Sequence, residues 1–184
     1  MPREGTNLTH RFFFTHRLFA AVALFVLPFA TLHAAEAPQV GQAAPEFSLP
    51  SQEGGNVSPR DFRGKWVVLY FYPKDMTQGC TIEAHNFQQD LPKYASRNAV
   101  IVGVSVDSTD SHKEFCTKES LTFKLLSDTD KKVVEQYGSL SPRGVAARNT
   151  FLIDPAGRIA KVWTTVSPAK HSEEVLAALA EAAR

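Results

Sequence analysis

Hydrophobic and polar positions follow two rhythms along most of this chain. Trp66-Val-Val-Leu-Tyr-Phe-Tyr72 is continuously apolar and rich in β-branched and aromatic residues, the pattern of a strand buried on both faces, and Pro73 stops it. A second such run covers 100–106 and ends in Asp107-Ser-Thr-Asp110. Between them, from about 78 to 97, the pattern is helical, and Pro92 is expected to kink or divide that helix. Beyond the second run the pattern predicts a helix over 111–119 capped by Asp110 or Ser111, then a short strand over 123–126. Ser127-Asp-Thr-Asp130 caps a further helix that reaches Tyr137 and is stopped by Gly138. Residues 150–153, the turn Asp154-Pro-Ala-Gly157 and 158–164 read as an antiparallel hairpin, and 171–183 as a last amphipathic helix. Ahead of the first long strand, 36–46 is an extended, Pro-punctuated lead-in. Short strands at 47–49 and near Val57 flank the turn Glu53-Gly-Gly-Asn56. This order predicts an α/β fold, a mixed central sheet with helices on both faces, in one domain.

The first thirty residues obey neither rhythm. They hold six of the thirteen phenylalanines and a single acidic residue, Glu4. Arg11 and Arg17 precede an apolar stretch over 18–32, and the small residues Ala34, Ala35 and Ala37 follow. Basic, apolar, then small is the order of a secretory signal peptide. The apolar run, about 15 residues and broken by Pro28, is shorter than the roughly 20 of a membrane span. Residues 1–35 are therefore expected to be an export signal cleaved near Ala34–Ala37, leaving one domain over 36–184 in the periplasm or otherwise exported. An uncleaved N-terminal membrane anchor is the alternative.

Charge narrows the partners. The chain carries 20 basic and 19 acidic residues; without Arg3, Arg11, Arg17 and Glu4 the balance is 17 to 18. Nothing in this suits a nucleic acid or, for the mature domain, an anionic membrane. Two cysteines are too few for a disulfide scaffold or a Cys-rich zinc site. His85, His112 and His171 show no metal-ligand spacing, and neither a phosphate-binding glycine loop nor a Gly-x-Ser-x-Gly elbow occurs. No metal and no bound cofactor is expected.

Chemistry concentrates in Tyr72-Pro-Lys-Asp-Met-Thr-Gln-Gly-Cys80-Thr-Ile-Glu83. A buried strand ends, a loop follows, and Cys80 arrives in the first turn of a helix. Unpaired N–H groups and the positive end of the helix dipole there favour a thiolate. A buried, inert cysteine is the bland reading of the same residue. Cys116, 36 positions on and in the next helix, excludes a Cys-x-x-Cys centre. A disulfide to Cys80 requires Cα atoms within about 7 Å, by approach or local unfolding.

Pro73-x-x-x-Thr77-x-x-Cys80 matches the active-site motif of the peroxiredoxins, and the phrase from Tyr70 to Thr81 resembles the bacterioferritin comigratory protein (PrxQ) branch. The similarity continues through Val102–Asp107, Leu125–Asp128 and Arg148–Asp154 and covers nearly all of 40–180. The resemblance implies a thioredoxin-like fold and a thiol peroxidase of antioxidant defence, active on hydrogen peroxide and organic hydroperoxides. It makes Cys80 the peroxidatic cysteine, which becomes a sulfenic acid. Pro73 would shield it, and the Thr77 hydroxyl would bond both peroxide and thiolate. Arg148 would be the active-site cation that favours the thiolate and the departing oxygen. Glu83, one turn beyond Cys80, would orient Arg148.

One position departs from the branch. Many members carry a resolving cysteine five residues after the peroxidatic one, and here that residue is His85. Others place it in the next helix, which fits Cys116. The resemblance thus implies a Cys80–Cys116 disulfide cycle regenerated by a thioredoxin-like or small-thiol reductant, in a monomer. A one-cysteine cycle resolved by an external thiol is the fallback. An exported disulfide-exchange protein, or a non-catalytic module stapled by a structural disulfide, are the rival functions.

Overall fold

The computed structural model describes Met1, residues 37–164 and residues 166–182. The expected export signal, 1–35, lies outside the described residues apart from Met1. Five strands form the central sheet: β3 (Trp66–Phe71), β4 (Ala99–Ser105), β5 (Lys124–Ser127), β6 (Thr150–Ile153) and β7 (Ile159–Trp163), in the order β5-β4-β3-β6-β7. β3, β4 and β5 are parallel, while β6 and β7 run antiparallel to their neighbours. The sheet is mixed, as the pattern requires. A two-stranded hairpin, β1 (Leu49–Pro50) and β2 (Asn56–Val57), lies against the β5 edge: Gln52 N–H donates to the Leu125 carbonyl, and Leu125 N–H to Gln52 Oε1. That side-on contact covers backbone groups an edge strand would otherwise leave open.

Alternation along β3 divides the core. Val68, Tyr70 and Tyr72 face one side with Cys80, Phe87, Phe115 and Leu179; Val67, Leu69 and Phe71 face the other with Val134, Tyr137 and Phe151. A strand with two apolar faces needs cover on both. α1 (Gln78–Ala95) supplies much of it on the first side, burying Cys80, Glu83, Ala84, Phe87 and Tyr94 as one stripe at helical spacing. α4 (His171–Ala182) packs beside it, joined by Tyr94 Oη donating to the Ser172 carbonyl at 2.9 Å. α2 (Thr109–Glu119) lies against β5, and α3 (Lys132–Gln136) buries Val133 and Val134 on the second side.

Three local expectations need correction. α1 runs unbroken through Pro92, which sits in its last turn; only one backbone bond is forfeited there, and Ser96 N–H still reaches the Pro92 carbonyl. α2 begins earlier than 111, with Ser108 rather than Asp110 or Ser111 as its cap, its side chain accepting from Ser111 N–H. α3 is short and starts at Lys132, although Asp128 Oδ2 does accept from Val134 N–H at 2.7 Å.

Gly103 shows how tightly the first face is filled. It pairs with Tyr70 across β3 and β4, and a Cβ there would stand 2.6 Å from Leu125 Cδ2 and 2.9 Å from the Tyr70 ring. Gly103→Ala should therefore destabilise the fold by about 1–3 kcal/mol. Urea unfolding checks this; a loss under about 0.5 kcal/mol would mean that Tyr70 and Leu125 can yield.

Candidate active site

The loop from Pro73 to Thr77 carries the chain from the end of β3 to α1. Thr77 caps α1 in extended conformation without a side-chain cap bond, and the first helical bond runs from Thr81 N–H to the Thr77 carbonyl. The N–H groups of Gln78, Gly79 and Cys80 therefore have no intrahelical acceptor and point toward the start of the helix. Cys80 enters here, 1% exposed, within the core cluster that contains Tyr70 and Tyr72.

Arg148 reaches this sulfur from the far side of the sequence. Its loop is pinned on both sides of the residue: Ala147 N–H bonds the Ser139 carbonyl, and Asn149 Nδ2 bonds Ser139 Oγ at 3.0 Å. The Asn149 carbonyl in turn accepts from Phe71 N–H at 2.8 Å, so the arginine is fixed to the strand that launches the cysteine loop. Nη2 donates to Cys80 Sγ at 3.4 Å, and Nη1 pairs with Glu83 Oε2. Burial opposes the Arg148 charge, but Glu83 and Cys80 outweigh it and raise its pKa above the ordinary value. Its cation is secure.

Glu83 is the less comfortable partner. Burial raises its carboxyl from 4.5 to about 7 despite Arg148, and its Oε1 has no partner among the described residues. Tyr70, fully buried nearby, also has an unpaired hydroxyl, and burial pushes its pKa well above 10. His171, the first residue of α4, has its Nε2 2.8 Å from Thr150 Oγ1, and its Nδ1 has no partner among the described residues. Burial, and next the Arg148 charge, lower its pKa to about 4, so it is neutral near pH 7.

Other expected site residues fall less simply. Pro73 is half-buried in the loop. The Thr77 hydroxyl donates to the Lys74 carbonyl at 2.9 Å and makes no bond to Cys80, contrary to the expectation that it holds the thiolate. Its oxygen keeps lone pairs for an incoming O–H. Cys116 is a free thiol buried on α2 in the same cluster as Cys80. Burial, then Asp75 and Glu53, push its pKa up to about 11, against the pull of a Gln52 bond. His85 pairs with Glu119 at 2.9 Å across α1 and α2. Sequence reasoning missed Tyr70, His171 and the pairing of Asp75 with His112; aromatic and polar residues on apolar strands and helices gave no signal beyond core.

Glu83 and His171 titrate in opposite senses over one pH window. With its carboxyl raised, native Glu83 keeps a proton that the unfolded chain has lost, so its contribution to stability falls as pH rises from 4.5 to about 7. Native His171 lacks a proton that the unfolded chain holds, so its contribution rises from about 4 to 6.5. Each slope is at most about 1.4 kcal/mol per pH unit, and the two offset. Between pH 5 and 6.5, the urea stability of His171→Gln should decline relative to wild type, and that of Glu83→Gln should climb. Parallel curves for all three proteins would overturn both assignments.

Residues 40–162 match the model of the AhpC/TSA family. The chain is 44% identical over 149 residues to the putative peroxiredoxin bcp of Coxiella burnetii, covering 77% of this chain and 98% of that protein. It is 41% identical over 149 residues to peroxiredoxin Bcp of Bacillus subtilis, covering 77% and 94%. Among solved structures, a cysteine-to-serine mutant of Xylella fastidiosa PrxQ aligns with TM-score 0.77 at 34% identity over 81% of this chain and 99% of that one. Xanthomonas campestris peroxiredoxin Q aligns at 0.72 and 37% identity over 75% and 92%. The α/β arrangement is thus thioredoxin-like, and the chain belongs to the AhpC/TSA family, among the peroxiredoxins of the Bcp/PrxQ branch.

Proposed function

We propose that this chain is an exported thiol peroxidase in which Cys80 reduces hydrogen peroxide and small organic hydroperoxides and Cys116 resolves the product. The observation that carries this reading is the Arg148 guanidinium, 3.4 Å from a sulfur placed in the first turn of α1. Family membership supports the reaction class. The Cys80 thiolate attacks one peroxide oxygen; the O–O bond breaks, the sulfur becomes a sulfenic acid, and the other oxygen leaves as water or alcohol after gaining a proton. Arg148 offsets charge on the sulfur and on the departing oxygen, the Thr77 oxygen accepts from the peroxide O–H, and Pro73 screens the site. Glu83 holds Arg148 in place.

Cys116 then attacks the sulfenic sulfur, giving a disulfide and water. A thioredoxin-like dithiol, or a small thiol, returns both cysteines to the reduced state by exchange and is itself oxidised. The high pKa of Cys116 fits a residue that stays protonated and unreactive until the sulfenic acid forms nearby. Residues 1–35 act as the export signal, cleaved near Ala34–Ala37, and the mature domain works as a monomer.

Peroxide consumption with dithiothreitol as reductant tests the nucleophile and its cation. Cys80→Ser should retain less than about a tenth of wild-type turnover, because a serine hydroxyl is scarcely ionised near neutral pH. Arg148→Ala should slow the peroxide step by on the order of 10²-fold. An unaffected rate in either removes that residue from the chemistry. For the second half-cycle, one equivalent of peroxide should give a monomer with a Cys80–Cys116 disulfide by peptide mapping. Cys116→Ser should react once and then stall or over-oxidise unless a small thiol is present. A free Cys116 beside a Cys80 mixed disulfide in the wild type would favour the one-cysteine cycle instead.

A further inference from the structure

The loop that precedes Cys80 is tied to the helix that carries Cys116 by a buried polar knot. Asp75, 5% exposed, sits at its centre. Oδ1 accepts from Tyr72 Oη at 2.7 Å; Oδ2 accepts from Ser111 Oγ at 2.7 Å and lies 2.8 Å from His112 Nδ1. Asp75 N–H donates to Asp107 Oδ2 at 3.0 Å, an oxygen that also accepts from Ser105 Oγ. His112 is wholly buried, and its Nε2 lies 3.2 Å from the Leu126 carbonyl on β5. The first turn of α2 is thereby fastened to the cysteine loop and to the ends of β4 and β5. Next to Asp75, Met76 is held at φ 57°, a left-handed conformation that side chains disfavour.

Among the described residues the other end of α2 is held by exposed polar contacts: just beyond the helix, Thr122 N–H donates to Gln88 Oε1 at 2.8 Å and Gln88 Nε2 to Thr122 Oγ1 at 3.1 Å. Glu119 meets His85 at 2.9 Å in a polar contact whose side chains are 16% and 45% exposed, and Ser120 ends the helix at φ 54°. Phe115 packs into the core beside Tyr72 by apolar contact, which carries no directional bond to break. Exposed polar contacts exchange readily with water and hold little, whereas buried polar groups parted from their partners are costly. Opening from the Glu119 end is the easier path.

We infer that Asp75 and His112 form the hinge that keeps the first turn of α2 against the cysteine loop while the rest of the helix opens to bring Cys116 to Cys80. They are positioning residues for the resolving step, and the inference rests on the two-cysteine cycle proposed above. With the hinge closed, the free path between the sulfurs is five residues from Asp75 to Cys80 and four from His112 to Cys116. Without it, Asp75 N–H still holds Asp107, so the nearest fixed points are Asp75 and Asp107, five and nine residues away. Loop closure weakening as the 3/2 power of length makes the encounter about twofold less frequent.

The test separates the two half-reactions in the full chain by rapid quench and mass spectrometry with hydrogen peroxide. The double variant Ser111→Ala/His112→Leu keeps the apolar bulk and removes the bonds of α2 to Asp75, together with those of His112 to Tyr72 and the Leu126 carbonyl. It should leave loss of the Cys80 thiol unchanged, slow disulfide formation about twofold, and raise the yield of sulfinic acid at high peroxide. Ser111→Ala/His112→Asn, which retains a donor near Nδ1, should restore most of the second rate. A purely structural role would lower the thermal midpoint of the first double variant without changing the ratio of the two rates. Unchanged or faster disulfide formation would overturn the hinge. Hydrogen exchange on the oxidised wild type needs no variant: the Ser111 and His112 amides should stay protected, while those of Ser120 and Leu121, bonded to the Cys116 carbonyl when reduced, should lose protection. Loss at both ends would also overturn it. If the wild type forms no Cys80–Cys116 disulfide, the two-cysteine reading itself fails and takes the hinge with it; a disulfide with a failed hinge leaves that reading intact.

Discussion

A guanidinium held 3.4 Å from a nearly buried sulfur is the constraint around which this molecule is organised. Opposite charges about 4 Å apart attract by only about 1 kcal/mol in water, but by about 4 kcal/mol at an effective dielectric of 20. Burial thus makes the cation useful to a thiolate, and burial alone would suppress both charges. Glu83 is the compromise. It sustains the Arg148 charge, yet its own carboxyl is raised to about 7, which shows that one cation does not fully compensate its desolvation. His171, kept neutral behind the site, adds no second positive charge to compete.

The two cysteines differ because their surroundings do. Cys80 has a helix start and an arginine; Cys116 has burial and the acidic Asp75 and Glu53. Both sit in the same apolar cluster, so apolar packing alone does not assign their roles. What distinguishes them is their polar surroundings: a guanidinium donates to Cys80 Sγ, whereas burial and nearby carboxylates push the Cys116 thiol up to about 11.

What the sequence made legible follows from how local each signal is. β3 and β4 were readable because a strand covered on both faces must be apolar throughout, and α1 because Cys80, Ala84, Phe87 and Tyr94 recur on one face. Pro92 does not divide α1, because a proline forfeits a single N–H bond and the rest of the ladder on either side remains. The α2 boundary moved because Ser108, Asp110 and Ser111 all suit a cap, and only packing chooses among them. Arg148 and Glu83 are 65 positions apart, and their pairing was expected only from resemblance to a family. In the Asp75–His112 pair, 37 positions apart, Asp75 stands within the Tyr72–Glu83 segment with no role of its own there, and His112 stands far from it with no metal-ligand spacing. A lone histidine on a helix offers no sign of the aspartate that the loop after β3 brings to it.

A peroxidase of this kind faces opposed demands. The first step needs the turn around Cys80 rigid, since a cation displaced by an ångström or two loses much of its effect in a medium where attraction decays with distance and water enters. In the proposed two-cysteine cycle, the second step needs the neighbouring helix to let go of Cys116. The fold separates these demands along the sheet. Arg148 is fastened to β3, the central strand, through the Asn149 carbonyl and Phe71 N–H, and α1 packs between β4 and α4. Cys116 rides on α2 over β5, an edge strand of four residues whose outer side is covered only by a short hairpin. Local opening costs least where contacts are fewest, and that is at sheet edges rather than sheet centres. Placing the charge-stabilising half of the site at the centre and the movable thiol near the edge allows one small domain to be rigid and yielding at once.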